Sequence, residues 1–203
     1  MNHLAHFYLS ENKEDIMIGN FIADFITNKE LPHFTEGVQR GIMLHREIDA
    51  FTDSHPLVKQ STKRLHPFHH KYAPVIVDIY YDFLLAKNWA TYAPHSPEKP
   101  SRIVELTDFI ENIYQLLKKR HNELPEKLKK RLPYMIKNNW LMTYTTLAGL
   151  CDTFERVERQ AAFPGNFGNA TNHLEIYMEE FDEEFNNFFP DLRAMSKKIL
   201  ECQ

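Results

Sequence analysis

The sequence predicts an all-α chain, and three observations predict it. Only six of its 203 residues are glycine. The eleven prolines fall between long stretches of good helix formers rather than among alternating β-branched residues. Within those stretches apolar residues recur at three- and four-residue intervals, the period of one helix face. With 43% hydrophobic and 26% charged residues the chain can bury one substantial core, so a single helical domain over residues 1–203 is expected.

After a short amino-terminal segment, Asn12 and Asp15 offer a start for a helix over Ile16 to Ile26 that ends near Asn28 and Pro32. Thr35, with Glu36 in the first turn, opens a second helix that runs to about Asp53, where Ser54-His55-Pro56 stops it. A shorter helix follows Pro56. The segment His66-Pro67-Phe68-His69-His70 reads as a loop leading into a long helix from about Pro74 to Trp89. Pro94 to Pro100 marks an inter-helix loop. Helices are then expected over Ser101 to His121, Pro125 to Lys137, Asn139 to about Ala162 and Thr171 to Glu201, with a turn at Pro164-Gly165 and Gly168. Isolated helices of such length are marginal in water, so packing must supply most of their stability.

A formal net charge of −4 gives no bulk attraction to nucleic acid or to an acidic membrane. Its distribution is uneven, because Lys118, Lys119, Arg120, Lys127, Lys129, Lys130 and Arg131 crowd one stretch opposed only by Glu123 and Glu126. Cys151 and Cys202 lack any partner spacing, and Met1-Asn2-His3-Leu4-Ala5-His6 does not read as a signal peptide, so a reducing cytoplasm is expected. Lys137, Asn138 and Asn139 interrupt the longest apolar candidate for a membrane crossing.

The informative residues are acids on faces that ought to be buried. At 3.6 residues per turn, His45, Asp49 and Asp53 step along one side of a helix, close to the stripe containing Ile42. On the next long helix Val75, Asp78, Asp82 and Leu85 share one face. An ionised carboxylate in an apolar setting costs several kcal/mol unless it is paired or binds a cation. A metal is the simplest neutraliser, and imidazole with carboxylate suits Mn²⁺, Fe²⁺ or Zn²⁺. His6, one turn from His3, and Asp24, one turn after Asn20, are further candidates. A salt-bridge network with Arg40, Arg46 and Arg156 explains the same acids without a metal, and spacing alone leaves both readings open. His66, His69 and His70 form a rival cluster that reads as turn histidines, and the aromatic run Phe181 to Phe189 reads as a packing face.

An ordered series of residues carries a family resemblance: Met1-Asn2-His3-Leu4-Ala5-His6, Gly19-Asn20, Ala23-Asp24-Phe25, Gly41-Ile42, His45-Arg46, Ile48-Asp49, Thr52-Asp53, Ala73-Pro74, Asp78, Asp82-Phe83-Leu84 and Trp89. Over these first ninety residues the chain resembles the acyl carrier protein phosphodiesterases, which are similar to HD-domain phosphohydrolases, although His45 is followed here by Arg46 rather than Asp. The resemblance implies an HD-like helical fold with the catalytic constellation mostly in residues 1–90, a divalent metal, Mn²⁺, and hydrolysis that releases 4′-phosphopantetheine from holo acyl carrier protein. It places His6, Asp24, His45, Asp49 and Asp78 around the metal, with Asp53, Asp82 and Asn20 as supporting or additional ligands. Asp24 is the candidate for orienting or deprotonating a water, His45 and Arg46 join it in catalysis, and Arg40 or Arg46 binds the phosphodiester. An acidic carrier protein gives the basic stretch a purpose, with Lys118, Lys119, Arg120, Lys127 and Lys130 as the docking residues. Two other readings fit the same residues: a phosphohydrolase acting on a nucleotide or other small ester, and a helical interaction module without catalysis.

Overall fold

The computed structural model describes residues 1–95, 103–163 and 165–202, and apart from one isolated bridge between His95 and Ile103 every regular element among them is helical. The α-helices are α1 His3–Tyr8, α2 Glu14–Ile22, α3 Glu36–Ser54, α4 Pro56–His69, α5 Ala73–Lys87, the short α6 Trp89–Tyr92, α7 Leu106–Lys119, α8 Glu126–Lys137, α9 Leu147–Glu158, α10 Ala170–Ile176 and α11 Met178–Glu201. Among the described residues no helix is long and apolar enough to cross a membrane. The residues 96–102 of the expected inter-helix loop and helix start, and Pro164 of the expected turn, lie outside the described residues.

Several elements follow directly from local chemistry. Thr35 caps α3, its hydroxyl accepting from the Val38 N–H at 3.4 Å, and Pro56 opens α4 where its missing donor costs nothing. Other elements depart from the expected boundaries for identifiable reasons. Asn12 sits in the left-handed region (φ 56°) and caps nothing, so α2 starts at Glu14. After Ile22 the chain tightens into a 3₁₀ turn, Ala23–Phe25, that carries Asp24. Helix α4 runs through Pro67 to His69, because burying Leu65 and His69 outweighs one lost hydrogen bond in its last turn. The helix expected from Asn139 splits: Asn139 is left-handed (φ 45°), Trp140–Thr145 is 3₁₀, and Thr146 caps a separate α9 by accepting from Gly149 at 3.1 Å. The last expected helix likewise breaks at Tyr177 into α10 and α11.

Helix α11 forms the spine of the core, as the aromatic run implies. Phe181, Phe185, Phe188 and Phe189 are fully buried, with the Phe185 and Phe189 rings stacked at 4.9 Å and Tyr81 of α5 edge-on to Phe185 at 5.4 Å. Truncating such a ring costs roughly 3–5 kcal/mol. A buried ion pair ties α4 to α11: Arg64 donates to Glu184 at 2.7 and 2.6 Å, and Ser61 donates to the same carboxylate.

The feature that positions the site is the crossing of α2 and α3 at Gly19 and Gly41. A methyl group on Gly19 would lie 2.8 Å from the Gly41 Cα and closer still to the Val38 carbonyl, and one on Gly41 would lie 2.9 Å from the Gly19 Cα. Only hydrogens fit there. The close approach brings Asn20, the residue after Gly19, against His45, one turn beyond Gly41.

Candidate metal centre

Asn20 sets the orientation of two imidazoles. Its amide nitrogen donates to the His6 carbonyl at 2.9 Å and to Ser10 Oγ at 3.1 Å, which turns Oδ1 toward the rings. His6 Nδ1 donates to that oxygen at 2.7 Å. His45 Nδ1 donates to it at 3.1 Å and to the Asn20 backbone carbonyl at 2.8 Å. With both Nδ1 atoms engaged as donors, both Nε2 atoms face the same pocket, and the rings stack at 4.1 Å with 17° between their planes.

Asp49, one turn after His45, lies across the two Nε2 atoms, with Oδ1 3.3 Å from His6 and Oδ2 3.1 Å from His45. Asp24 approaches His45 Nε2 from the other side at 3.2 Å and keeps 63% of its side chain exposed, so it stands at the open mouth. His6, His45 and Asp49 are the group among the described residues that offers three ligand atoms within 4.8 Å of one another. The pocket, of about 210 Å³, is also lined by Met1, His3, Asp24, Asp53 and Asp78.

Electrostatics separates the two histidines. Burial lowers His6 to about 4, so it is neutral at physiological pH. Burial also pulls His45 down, but its hydrogen bonds to Asp24 and Asp49 outweigh that and push its pKa up to about 9. Burial opposes ionisation of Asp49, yet the hydrogen bond from His45 and the nearby Met1 ammonium hold its carboxyl well below the usual carboxylate range. The hydrogen bond from His45 likewise lowers Asp24. A proton on His45 is thus the positive charge between two carboxylates, in the position a divalent cation would take.

The remaining candidates fall into distinct places. Asp78 lines the pocket but is engaged by the Met1 ammonium at 3.1 Å, and burial raises its pKa. Asp53 lines the pocket and is exposed. Asp82 lies deeper: it is fully buried, and its two oxygens accept the N–H groups of Leu4 at 2.7 Å and of Asn2 and Ala5 at 3.3 Å. Burial pushes it up to about 7 against the pull of those donors. Asp82 therefore holds the start of α1, the helix that presents His6.

The arginines do not gather around these acids. Arg40 Nη2 donates to the Leu200 carbonyl at 3.3 Å, Arg46 reaches Met43 Sδ at 3.9 Å on the exposed side of α3, and Arg156 donates to Thr143 and Thr153 and lies over Trp140. None of the three lines the pocket. Arg131 of α8 lies 5.8 Å from the Phe25 ring centroid and adds to the burial that lowers His3 to about 4, but it donates to Gln160 and lines a separate pocket with Trp140 and Arg156. Arg131 was legible only as a member of the basic stretch, because no local spacing relates α8 to residue 24.

That stretch is also less free than its composition implies. Lys119 pairs with Glu14 at 2.9 Å, Arg120 with Asp15 at 2.8 Å and with Glu123, whereas Lys118, Lys127 and Lys130 are exposed. Of the rival histidines only His69 serves packing: it is buried, 2.9 Å from His173 Nδ1 and 3.3 Å from the Gly165 carbonyl, whereas His66 and His70 are exposed.

The family model for acyl carrier protein phosphodiesterase matches residues 1–192. The chain belongs to the acyl carrier protein phosphodiesterase family. Similar proteins of that name include one from Photorhabdus laumondii subsp. laumondii, 28% identical over 94% of this chain and 92% of its own length. Others come from Pectobacterium atrosepticum, at 26% over 97% and 98%, and Yersinia enterocolitica, at 27% over 98% and 100%. No solved structure matches. As a member of this family the protein is a phosphoric diester hydrolase, and the family match extends well past the ninety residues on which the resemblance was first seen.

Proposed function

We propose that this chain hydrolyses the phosphodiester joining 4′-phosphopantetheine to the serine of holo acyl carrier protein, with a divalent cation, Mn²⁺, held by His6, His45 and Asp49. The observation that carries the reading is the convergence of three ligand atoms within 4.8 Å, with both imidazoles turned by one asparagine. Two nitrogens and a carboxylate oxygen suit a borderline ion, and Asp24, 3.2 Å from His45 Nε2, and Asp78 line the same pocket. Such a cation, when bound, lowers the pKa of a water and neutralises charge developing on the phosphoryl oxygens.

The chain's own residues supply the rest. Asp24 remains ionised, stands at the mouth, and is the group to accept a proton from the attacking water or to orient it. His45 yields its Nε2 proton when that nitrogen becomes a ligand, and Asn20 keeps the ring in register while it does so. Arg46, next to His45 in sequence, is the candidate for binding the phosphodiester anion, whereas Arg40 is engaged at the Leu200 carbonyl. Asp82 and Asn20 act as supports for the ligands rather than as ligands. The carrier protein is acidic in character, and Lys118, Lys127 and Lys130 are the exposed cations available to steer it.

The test is to incubate the protein with holo acyl carrier protein, with Mn²⁺ and with chelator, and to weigh the carrier by mass spectrometry. Loss of the phosphopantetheine mass only with metal is expected. Loss that persists in chelator, or no loss with any divalent ion, would sink the metal-dependent reading.

A further inference from the structure

A second cavity adjoins the metal pocket. It has a volume of about 630 Å³, within the ~300–1,000 Å³ typical of small-molecule sites, and it shares two wall residues, Asp53 and Asp78, with the pocket that holds His6, His45 and Asp49. From that junction it runs between α4 and α5. Val58, Thr62 and His66 follow one another at four-residue steps along α4, and Pro74 faces them from the start of α5. Val58 is buried and Thr62 half-buried, whereas Asp53 at the junction and His66 and Pro67 at the far end are exposed, so the groove has a buried wall along its middle and opens to solvent at both ends.

We propose that this α4–α5 groove is the subsite for the pantetheine arm of the substrate, a proposal that rests on the phosphodiesterase reading above. The groove's dimensions and chemistry select that occupant. Val58 to His66 spans two steps of four residues, or about 12 Å at the helical rise. The arm from phosphate to sulfur is peptide-like and extends on the order of 13 Å, about the reach of four extended residues. With the phosphate at the metal pocket, the arm runs past Val58 and Thr62 in the direction of His66. The arm carries no charge beyond the phosphate: it has a dimethyl carbon, a hydroxyl and two amides. Those groups match a floor of Val58 and two prolines with the Thr62 hydroxyl midway.

A carrier-protein surface is a poorer fit. It is broad and acidic, whereas the narrow end of this groove is walled by Asp53 and Asp78. Lys59 and Lys63 stand along its rim, where their stems widen the apolar wall and their ammonium groups remain in water.

The experiment measures inhibition of Mn²⁺-dependent bis(p-nitrophenyl) phosphate hydrolysis by two monoesters, 4′-phosphopantetheine and methyl phosphate. Both can occupy the metal pocket, and only the first has an arm. For the unmodified protein 4′-phosphopantetheine should bind at least tenfold more tightly than methyl phosphate. Thr62→Trp, which fills the groove midway, should bring the two inhibition constants together, and Thr62→Ser should restore the difference. Methyl phosphate serves as the internal measure of the metal pocket in each variant.

Equal inhibition of the unmodified protein by the two esters overturns the proposal whether or not Thr62→Trp folds. So does a preference for 4′-phosphopantetheine that survives in a folded Thr62→Trp protein. Inhibition by apo carrier protein that weakens in Thr62→Trp would instead assign the groove to the protein surface and also overturns it. Failure of the phosphodiesterase reading shows separately, as intact holo carrier protein in the mass measurement.

Discussion

The most exposed link between this fold and its chemistry is Asn20, because one side chain determines which nitrogen each imidazole presents. In Asn20→Ala the backbone carbonyl remains, so His45 Nδ1 keeps its 2.8 Å bond, while His6 Nδ1 loses its 2.7 Å partner outright. One of two nitrogen ligands is then free to rotate or to adopt the other tautomer. Loss of a group that orients a ligand typically costs ~10–100-fold in metal affinity, or about 1.4–2.8 kcal/mol. A buried N–H without an acceptor adds a cost of roughly 1–3 kcal/mol to folding even without metal. Calorimetric titration with Mn²⁺ measures the first effect, and thermal unfolding with and without the ion measures both. Asn20→Asp keeps the oxygen facing the rings and should recover most of the affinity. An Asn20→Ala protein that folds and binds Mn²⁺ within about twofold of the unmodified chain would refute the claim that this amide orients the ligands.

Other perturbations test neighbouring steps. Because the hydrogen bonds to Asp24 and Asp49 raise His45 to about 9 in the metal-free protein, the ion must displace a proton below that pH, so apparent Mn²⁺ affinity should climb with pH by up to about tenfold per unit and level off above it. Calorimetry in buffers of different ionisation enthalpy should show release of about one proton per ion, and a pH-independent affinity would contradict the assignment. Asp24→Ala should abolish turnover with helicity intact by circular dichroism; normal activity removes Asp24 from the mechanism. Asp82→Ala leaves the N–H groups of Asn2, Leu4 and Ala5 without their acceptor and should cost on the order of 1–3 kcal/mol in urea unfolding. Charge reversal at Lys118, Lys127 and Lys130 should raise the KM for carrier protein in a salt-dependent way, whereas reversal at Arg120 should act mainly on stability through Asp15 and Glu123.

How much of this was legible beforehand depends on whether a feature is local. The face shared by His45 and Asp49 follows from helical period alone, and the structure places them one turn apart around one pocket. Glu36 to Ser54 is helical almost as expected because its cap, Thr35, and its stop, His55-Pro56, are adjacent in sequence. Asp82 shows the limit. Its spacing from Asp78 put it on the same face, but the N–H groups that satisfy it come from α1, which the sequence had not marked as a helix. The family resemblance marked Asn20 as a supporting or additional ligand, but how it supports two imidazoles depends on the glycine crossing that brings His6 and His45 to it from two other helices. Arg131 was visible only as charge, since its proximity to Phe25 depends on how α8 packs.

The same dependence on distant partners explains how a pocket of acids coexists with a folded metal-free chain. Asp49 and Asp24 share the His45 proton, Asp78 has the Met1 ammonium, and Asp82 has three backbone donors, so these four carboxylates are compensated without an ion. These compensations differ in how readily they yield. The donors to Asp82 are backbone groups in a helix and cannot be exchanged for a cation without unfolding α1, whereas the His45 proton leaves with an ordinary acid–base equilibrium. A cation bound as proposed would replace a proton at Nε2 while the scaffold of α1, α2 and α3 stayed as it is, so the cost of building the pocket would be met at folding rather than at binding. A centre of this kind should show nearly the same helical content with and without Mn²⁺, in contrast to a domain that folds only around its ion.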